Sequence, residues 1–238
     1  MVARIIVIMS RKGGVGKTTV SANLASALAT KKSRVLLIDA NMETSHIAVH
    51  YGLDDYEMAL QDVLNGIVQV DRAIYHTRYG LDILPSRVFR KKGDKAANYQ
   101  LINLFFHIGR VVNSYDFVII DTRPATDIDF IRLIPNAEIV VVVNPDLTSL
   151  LEAKELAKEL RENAIKLLGI IVNRSNRRKQ KLAENAVLSM GGDVIGTISE
   201  DDKLTDALNS GMPVTHLNSR SRASKEFLKL ADTIRRGI

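Results

Sequence analysis

A glycine-rich loop near the amino terminus constrains the fold more than any other feature of this chain. Residues 4–9 (RIIVIM) form an apolar, β-branched run that leads straight into the loop. Three glycines, a lysine and a threonine follow in order, and the last two open a helical pattern: Gly13, Gly14, Gly16, Lys17 and Thr18. Glycines let successive backbone amides line one concave nest, and a helix N-terminus adds unpaired amides and a positive dipole. This order of strand, loop, lysine, hydroxyl and helix predicts a phosphate-binding loop.

Apolar runs and helical patterns alternate along the rest of the chain. The runs are mostly β-branched on successive residues, as in strands covered on both faces. They span 4–9, 34–39, 81–85, 116–121, 138–144, 167–173 and 193–199. Helical spacing of apolar residues lies between them, at 17–31, 101–112, 150–160 and 182–190. We therefore predict an α/β fold, a doubly wound, mainly parallel sheet of seven or eight strands with helices on both faces.

Composition narrows the class of protein further. No linker, repeat or low-complexity tract interrupts residues 1–238, so we predict one domain, with the basic stretch 86–98 as a mobile loop. The lack of cysteine excludes disulfides, iron–sulfur clusters and thiolate zinc sites. The apolar runs are far shorter than the roughly 20 residues of a membrane span, so we predict a cytoplasmic protein. The net charge of +6 favours anionic partners or simply keeps the chain soluble.

The loop sequence KGGVGKTT, with Lys12 ahead of the glycines, resembles the deviant Walker A motif of the MinD/ParA family of P-loop ATPases, a SIMIBI-type group. Arg11 stands where the ordinary Walker pattern has glycine. Weaker resemblances follow in the family's order at 35–41, 116–125, 141–156, 169–174, 194–214 and 221–234, and so cover nearly the whole chain. The resemblance is closest to archaeal-type MinD.

This resemblance implies ATP and Mg²⁺ as cofactors and a homodimer in the ATP state. Lys12 would act in trans on the partner's nucleotide, Lys17 would hold the phosphates, and Asp39 would lie near the attacking water. The implied nucleotide-binding residues are Gly13, Gly14, Val15, Gly16, Lys17, Thr18, Thr19 and Asn173. The implied metal ligands are Thr18 and Asp121.

Two of these residues also have a chemical argument of their own. Asp121 ends an apolar run, where ligands sit in open α/β folds, and a carboxylate there can hold a water on Mg²⁺, although a strand-end turn would also explain it. The amide of Asn173 can pair with both a donor and an acceptor of adenine, but a turn-forming asparagine is nearly as good an explanation.

Three positions depart from the family pattern. Asn41 replaces the second aspartate of Asp-x-Asp, and an amide orients a water without accepting its proton, so we predict tight ATP binding with slow or absent hydrolysis. Arg123 replaces a small residue or proline; it could reach phosphate, pair with Asp127 or point to solvent. Ser199 replaces a proline and changes the expected shape of the adenine pocket.

The sequence predicts a MinD-like ATPase switch that positions division or partition machinery through an unknown protein partner. One alternative is an ATP-locked scaffold, supported by Asn41. Another is a ParA-like partition ATPase that binds DNA non-specifically through a basic run: Arg174, Arg177, Arg178, Lys179 and Lys181. Peripheral membrane binding is disfavoured, because the apolar stripe of the last helix is as narrow as that of a packed helix: Ala223, Phe227, Leu230 and Ile234.

Overall fold

The computed structural model describes residues 2–42, 44–87, 104–176, 181, 183, 185–188 and 192–237. Most of the predicted mobile loop, and parts of the helices predicted at 101–112 and 182–190, lie outside these residues. The strands are β1 Arg4–Met9, β2 Val35–Asp39, β3 Tyr75–His76, β4 Asp82–Leu84, β5 Phe117–Asp121, β6 Glu138–Val143, β7 Lys166–Ser175 and β8 Val194–Ser199.

These strands form one eight-stranded sheet in the order β3-β4-β2-β5-β1-β6-β7-β8. Every pairing is parallel except that between β3 and β4. The predicted doubly wound, mainly parallel sheet is confirmed. The sequence pattern missed β3, because its two residues are too few to carry a period.

Helices connect the strands. Their bounds are α1 Lys17–Thr30, α2 Ile47–His50, α3 Leu60–Leu64, α4 Leu104–Val112, α5 Ile128–Arg132, α6 Leu147–Glu162, α7 Asp202–Asn209, α8 Val214–Leu217 and α9 Arg222–Arg236, with a 3₁₀ turn at Val70–Ala73. Two of the long helices, α6 and α9, begin at polar caps. The carboxylate of Asp146 accepts a hydrogen bond from the Ser149 amide at the start of α6, and the Ser221 hydroxyl accepts one from Ser224 at the start of α9.

The strands are buried on both faces, as their unbroken apolar runs predict. Along β1, Ile5 and Val7 belong to one core, which includes apolar residues of α4, α5 and α6. Ile6 and Ile8 belong to the other, which includes apolar residues of α1 and α9. The sheet is therefore the middle layer of three.

The last helix packs into this second core. Ala223, Phe227, Leu230 and Ile234 are 0–1% exposed. Because the apolar stripe is already covered, α9 has no apolar face to insert into a bilayer in this conformation. None of the helices in the described ranges is both long and apolar enough to span a membrane.

The position of β1 in the sheet determines where a ligand can bind. In the strand order, β1 lies between β5 and β6. The connection from β1 to β2 and the connection from β5 to β6 run in opposite directions along this order. Open α/β sheets bind ligands in the crevice at such a switch point, outside the carboxyl ends of the strands. The glycine-rich loop follows β1 at this place.

Candidate nucleotide-binding site

The backbone requires glycine at two positions of the loop, and at one of them a close neighbour requires it as well. Gly14 and Gly16 have φ of 74° and 92°, in the left-handed region that disfavours side chains. A Cβ on Gly16 would lie 2.3 Å from Nδ2 of Asn173, whereas one on Gly14 would meet nothing within 4 Å. Gly16 precedes α1 without a side-chain cap, and the first turn of α1 holds no acid. The helix thus presents unpaired amides to the crevice, as phosphate binding requires.

Lys17 is buried beside this loop. Its side chain donates a hydrogen bond from Nζ to Oγ of Ser10, at 3.0 Å, and the residue is 6% exposed. Burial lowers the pKa of Lys17, and the nearby charge of Asp121 offsets this in part. A buried ammonium with one neutral partner has capacity for an anionic ligand.

Thr18 and Asp121, the predicted metal ligands, are brought together. The Thr18 hydroxyl donates to Oδ2 of Asp121 at 2.7 Å, and the Ser21 hydroxyl donates to Oδ1 at 2.9 Å. Asp121 is fully buried at the end of β5, as its position after an apolar run predicts.

Asp39 lies next to Asp121 on the neighbouring strand. The two are register partners at the carboxyl ends of β2 and β5, and both are 0% exposed. Burial and the charge of Asp121 raise the pKa of Asp39 to about 7. Burial raises the pKa of Asp121 to about 6. Burial makes the negative charge of both carboxylates unfavourable. A cation bound between them and the phosphates would stabilise that charge.

The donor set fits Mg²⁺. It consists of oxygen atoms only, one hydroxyl and two carboxylates, and Mg²⁺ is bound in proteins through few carboxylates, waters and substrate phosphates. Thr18 and Asp121 would hold the ion, directly or through water, and the bound ion would supply positive charge to the phosphate oxygens.

Asn41, two residues beyond Asp39, is also buried, at 6% exposed. Its backbone amide donates to Oδ1 of Asp39 at 3.1 Å, and its Nδ2 donates to the Thr44 hydroxyl at 3.0 Å. Its amide oxygen, Oδ1, has no hydrogen-bond partner. A buried acceptor without a partner suits an ordered water.

Lys12 is partly exposed at the mouth of the site and forms an ion pair within its own chain. Its Nζ lies 3.0 Å from Oδ1 of Asp146, the cap of α6. Leu147 and Leu151, in the first turns of α6, are 74% and 52% exposed. A cation and two exposed leucines therefore adjoin the loop.

Asn173 differs from its predicted position. The sequence pattern places it at the end of a strand, but β7 continues to Ser175, which pairs with Ser199 of β8. Asn173 donates from Nδ2 to the carbonyl of Val15 at 2.7 Å, so it braces the loop. The predicted contact with adenine remains a prediction.

Of the other two departures, Arg123 lies near the loop and Ser199 contacts the last helix. Arg123 and Arg11 line one cavity of about 210 Å³, together with Asp127 and Glu159. Ser199 donates from both its amide and its hydroxyl to the carboxylate of Glu226 in α9.

The basic run proposed for DNA is described only in part. Arg174 donates from Nη1 to the carbonyl of Gly14 at 3.1 Å, and Lys181 is exposed. Arg177, Arg178 and Lys179 lie outside the described residues. DNA binding remains a prediction.

Sequence reasoning missed four polar residues of the site: Ser10, Ser21, Ser45 and Asp146. Ser21 lies three residues after Thr18, on the same helix face, and this spacing could have identified it. The Ser45 hydroxyl donates to Oδ2 of Asp39 at 2.8 Å, from a loop whose sequence carries no period.

Residues 6–214 match the model of the CobQ/CobB/MinD/ParA nucleotide-binding domain. An uncharacterised ATP-binding protein of Methanocaldococcus jannaschii is 29% identical over 98% of this chain and 89% of its own.

Two solved structures are similar over almost their full length. MinD of Pyrococcus horikoshii, a septum site-determining protein in complex with Mg-ADP, is 29% identical, with a TM-score of 0.85 over 98% of this chain and 96% of its own. The MinC:MinD cell division complex of Aquifex aeolicus contains a chain that is 30% identical, with a TM-score of 0.83 over 98% of this chain and 96% of its own.

Proposed function

Because the chain belongs to the CobQ/CobB/MinD/ParA nucleotide-binding family, we propose that it is a MinD-like switch that binds Mg-ATP and dimerises in the ATP state. The observation that carries this proposal is the meeting of Thr18, Asp121 and Asp39 beside the buried Lys17. A site for phosphate and Mg²⁺ needs a hydroxyl group, carboxylates and an ammonium group, and these four residues supply them. The Mg-ADP complex of the P. horikoshii relative supports the same cofactors.

The residues of the loop have separate tasks in this proposal. Backbone amides of Gly13, Gly14, Val15 and Gly16 cradle phosphates, and Lys17 exchanges its hydrogen bond to Ser10 for phosphate oxygens. The amides and hydroxyls of Thr18 and Thr19 complete the first turn of α1. Asn173 keeps the carbonyl of Val15 turned away from the phosphates, because its Nδ2 holds that oxygen.

Dimerisation would use the surface formed by Lys12, Leu147 and Leu151. The leucines are apolar side chains left in water at the mouth of the site, and burying them stabilises a dimer by roughly 25 cal/mol per Å² of apolar surface. Lys12 would leave Asp146 and reach the partner's phosphates, since a multiply charged phosphate attracts an ammonium more strongly than a half-exposed carboxylate does.

Hydrolysis is proposed to be slow. The free Oδ1 of Asn41 can accept a hydrogen bond from a water and orient it, but an amide does not take the proton. General bases contribute about 10²–10⁴ to rates, so the switch would stay long in its ATP state.

The cellular role is proposed from the relatives. MinD of P. horikoshii is a septum site-determining protein, and MinD of A. aeolicus forms a complex with MinC. We infer that the ATP dimer of this chain recruits a protein partner that positions division or partition machinery. A DNA-binding partition role is the second candidate, supported by the exposed Lys181 and the basic run around it.

One experiment tests the switch. Size-exclusion chromatography with light scattering would measure the mass of the wild-type chain in Mg-ATP and in Mg-ADP. We expect a dimer in Mg-ATP only, and a monomer in both nucleotides for Lys12→Ala. Lys154→Ala, an exposed lysine on the same helix α6, is the matched control and should dimerise normally.

Four outcomes separate the candidates. A wild-type chain that stays monomeric in Mg-ATP would contradict the switch. Single-turnover conversion of bound ATP within minutes would exclude the locked scaffold, whereas intact ATP after hours would favour it. Salt-sensitive binding of the ATP dimer to random duplex DNA would favour the partition role.

A further inference from the structure

The phosphate loop is joined to α6 at a second point. Nη2 of Arg11 forms an ion pair with Oε2 of Glu159, a residue 148 positions later in the chain. Arg11 occupies the first position of the Walker pattern, where glycine is usual and no side chain could make this contact. The pair is therefore a property of this chain rather than of a phosphate loop in general.

Glu159 belongs to a helix that is packed tightly against the sheet. Ala153, Leu156 and Ala157 of α6 are 1–3% exposed and pack against the sheet. Leu156 also lines the cavity of about 210 Å³ between the helix and the loop, with Arg11 on its wall. A helix packed this tightly moves little, so a side chain tied to it restrains the backbone that carries that side chain.

Two successive residues of the loop thus reach the same helix at different points. Lys12 pairs with Asp146 at the start of α6, and Arg11 pairs with Glu159 near its end, about 20 Å further along the helix axis. The two bonds differ in what a nucleotide would do to them. In the proposed switch Lys12 exchanges Asp146 for phosphate, whereas Arg11 has no such role and can stay.

We propose that Arg11 is a positioning residue whose ion pair with Glu159 anchors the start of the phosphate loop to α6. The anchor keeps the nest of amides in shape while Lys12 moves. A loop held in its binding conformation loses less conformational freedom when it binds, so the anchor raises nucleotide affinity without touching the nucleotide. This inference rests on the proposed nucleotide site, but it does not depend on dimerisation.

The test uses Mg-ADP and the full-length chain, since the proposed switch is monomeric in that nucleotide. Isothermal titration calorimetry would give the affinity of wild type, Arg11→Ala, Glu159→Gln and the double variant. Both side chains are more than one-third exposed, so each single variant should bind about two- to fivefold more weakly. The double variant should be no weaker than either single variant.

Rescue and a matched control complete the design. The reversed pair, Arg11→Glu with Glu159→Arg, should regain most of the affinity. Lys158→Ala with Glu162→Gln removes another exposed ion pair of α6 and should leave the affinity unchanged. Thermal unfolding of the nucleotide-free variants should match wild type, because an exposed pair adds little to stability.

The outcomes are distinct. Additive losses in the double variant, no rescue by the reversed pair, or equal losses in the control would overturn the anchor. A wild-type chain that does not bind Mg-ADP would instead overturn the proposed nucleotide site. A wild-type chain that binds Mg-ADP but stays monomeric in Mg-ATP would remove the switch and leave the anchor standing.

Discussion

Replacing Asp39 by asparagine should change the stability of the nucleotide-free protein in a pH-dependent way. Asp39 is fully buried, and burial together with the charge of Asp121 raises its pKa from 3.8 to about 7. A carboxyl group with a raised pKa binds its proton more tightly in the folded state than in the unfolded chain. The free energy of unfolding therefore falls as pH rises from about 4 through about 7. Asp39→Asn removes this titration.

The magnitude follows from the pKa shift. Between pH 5 and pH 6 the folded chain holds nearly one proton more at this group than the unfolded chain does, and at pH 7 it holds about half a proton more. A difference of one proton changes the free energy of unfolding by about 1.4 kcal/mol per pH unit, which gives about 2.5 kcal/mol between pH 5 and pH 8. The variant loses good acceptors for Ser45 and Ile47, which costs about 1–2 kcal/mol at every pH. Asp39→Asn should thus be less stable than wild type at pH 5 and more stable at pH 8.

Urea unfolding at pH 5, 6, 7 and 8, without nucleotide and with a chelator present, measures this difference. Asp116→Asn is the control, because the hydrogen bond and charge of Arg34 lower the pKa of Asp116 instead of raising it. Its difference from wild type should stay level over the same range. A level difference for Asp39→Asn as well would refute the argument, since it would mean that Asp39 ionises in the folded protein as easily as in water.

Three further predictions concern the proposed nucleotide site. Asn41→Asp should speed the single-turnover conversion of bound ATP by about a hundredfold, the lower end of what a general base contributes, and an unchanged rate would contradict the role given to residue 41. Gly16→Ala should weaken Mg-ADP binding in calorimetry, since its Cβ would lie 2.3 Å from Nδ2 of Asn173 and would displace that amide from the Val15 carbonyl. Gly14→Ala should bind Mg-ADP more tightly than Gly16→Ala does and should cost about 1–2 kcal/mol of unfolding free energy for its left-handed backbone; similar binding by both would be the contrary result. Thr18→Val should remove the Mg²⁺ dependence of ADP affinity, and Thr18→Ser should retain it; a Mg²⁺ dependence that survives in Thr18→Val would refute its role.

Much of the fold is readable from the sequence because its signals are local. The strand predicted at 4–9 matches β1 residue for residue, and the other predicted strands are found within a few residues of their ends. Apolar β-branched runs of this kind are stable in few conformations other than a strand that is buried on both faces. The two-residue β3 and the extension of β7 beyond Asn173 are decided by pairing with neighbouring strands, which no local pattern carries.

The sequence by itself determined the chemistry at the ends of the strands. It specified a glycine-rich loop with Lys17 and Thr18 after one strand, and carboxylates at the ends of two others, because these signals lie within a few residues of each other. Only the tertiary structure decided which of these groups meet. Thr18 and Asp121 are 103 residues apart, Asn173 and Val15 are 158 apart, and Arg11 and Glu159 are 148 apart. Parallel strands joined by long connections bring such residues to one edge of the sheet, and the choice of partners there depends on register and packing rather than on any local pattern.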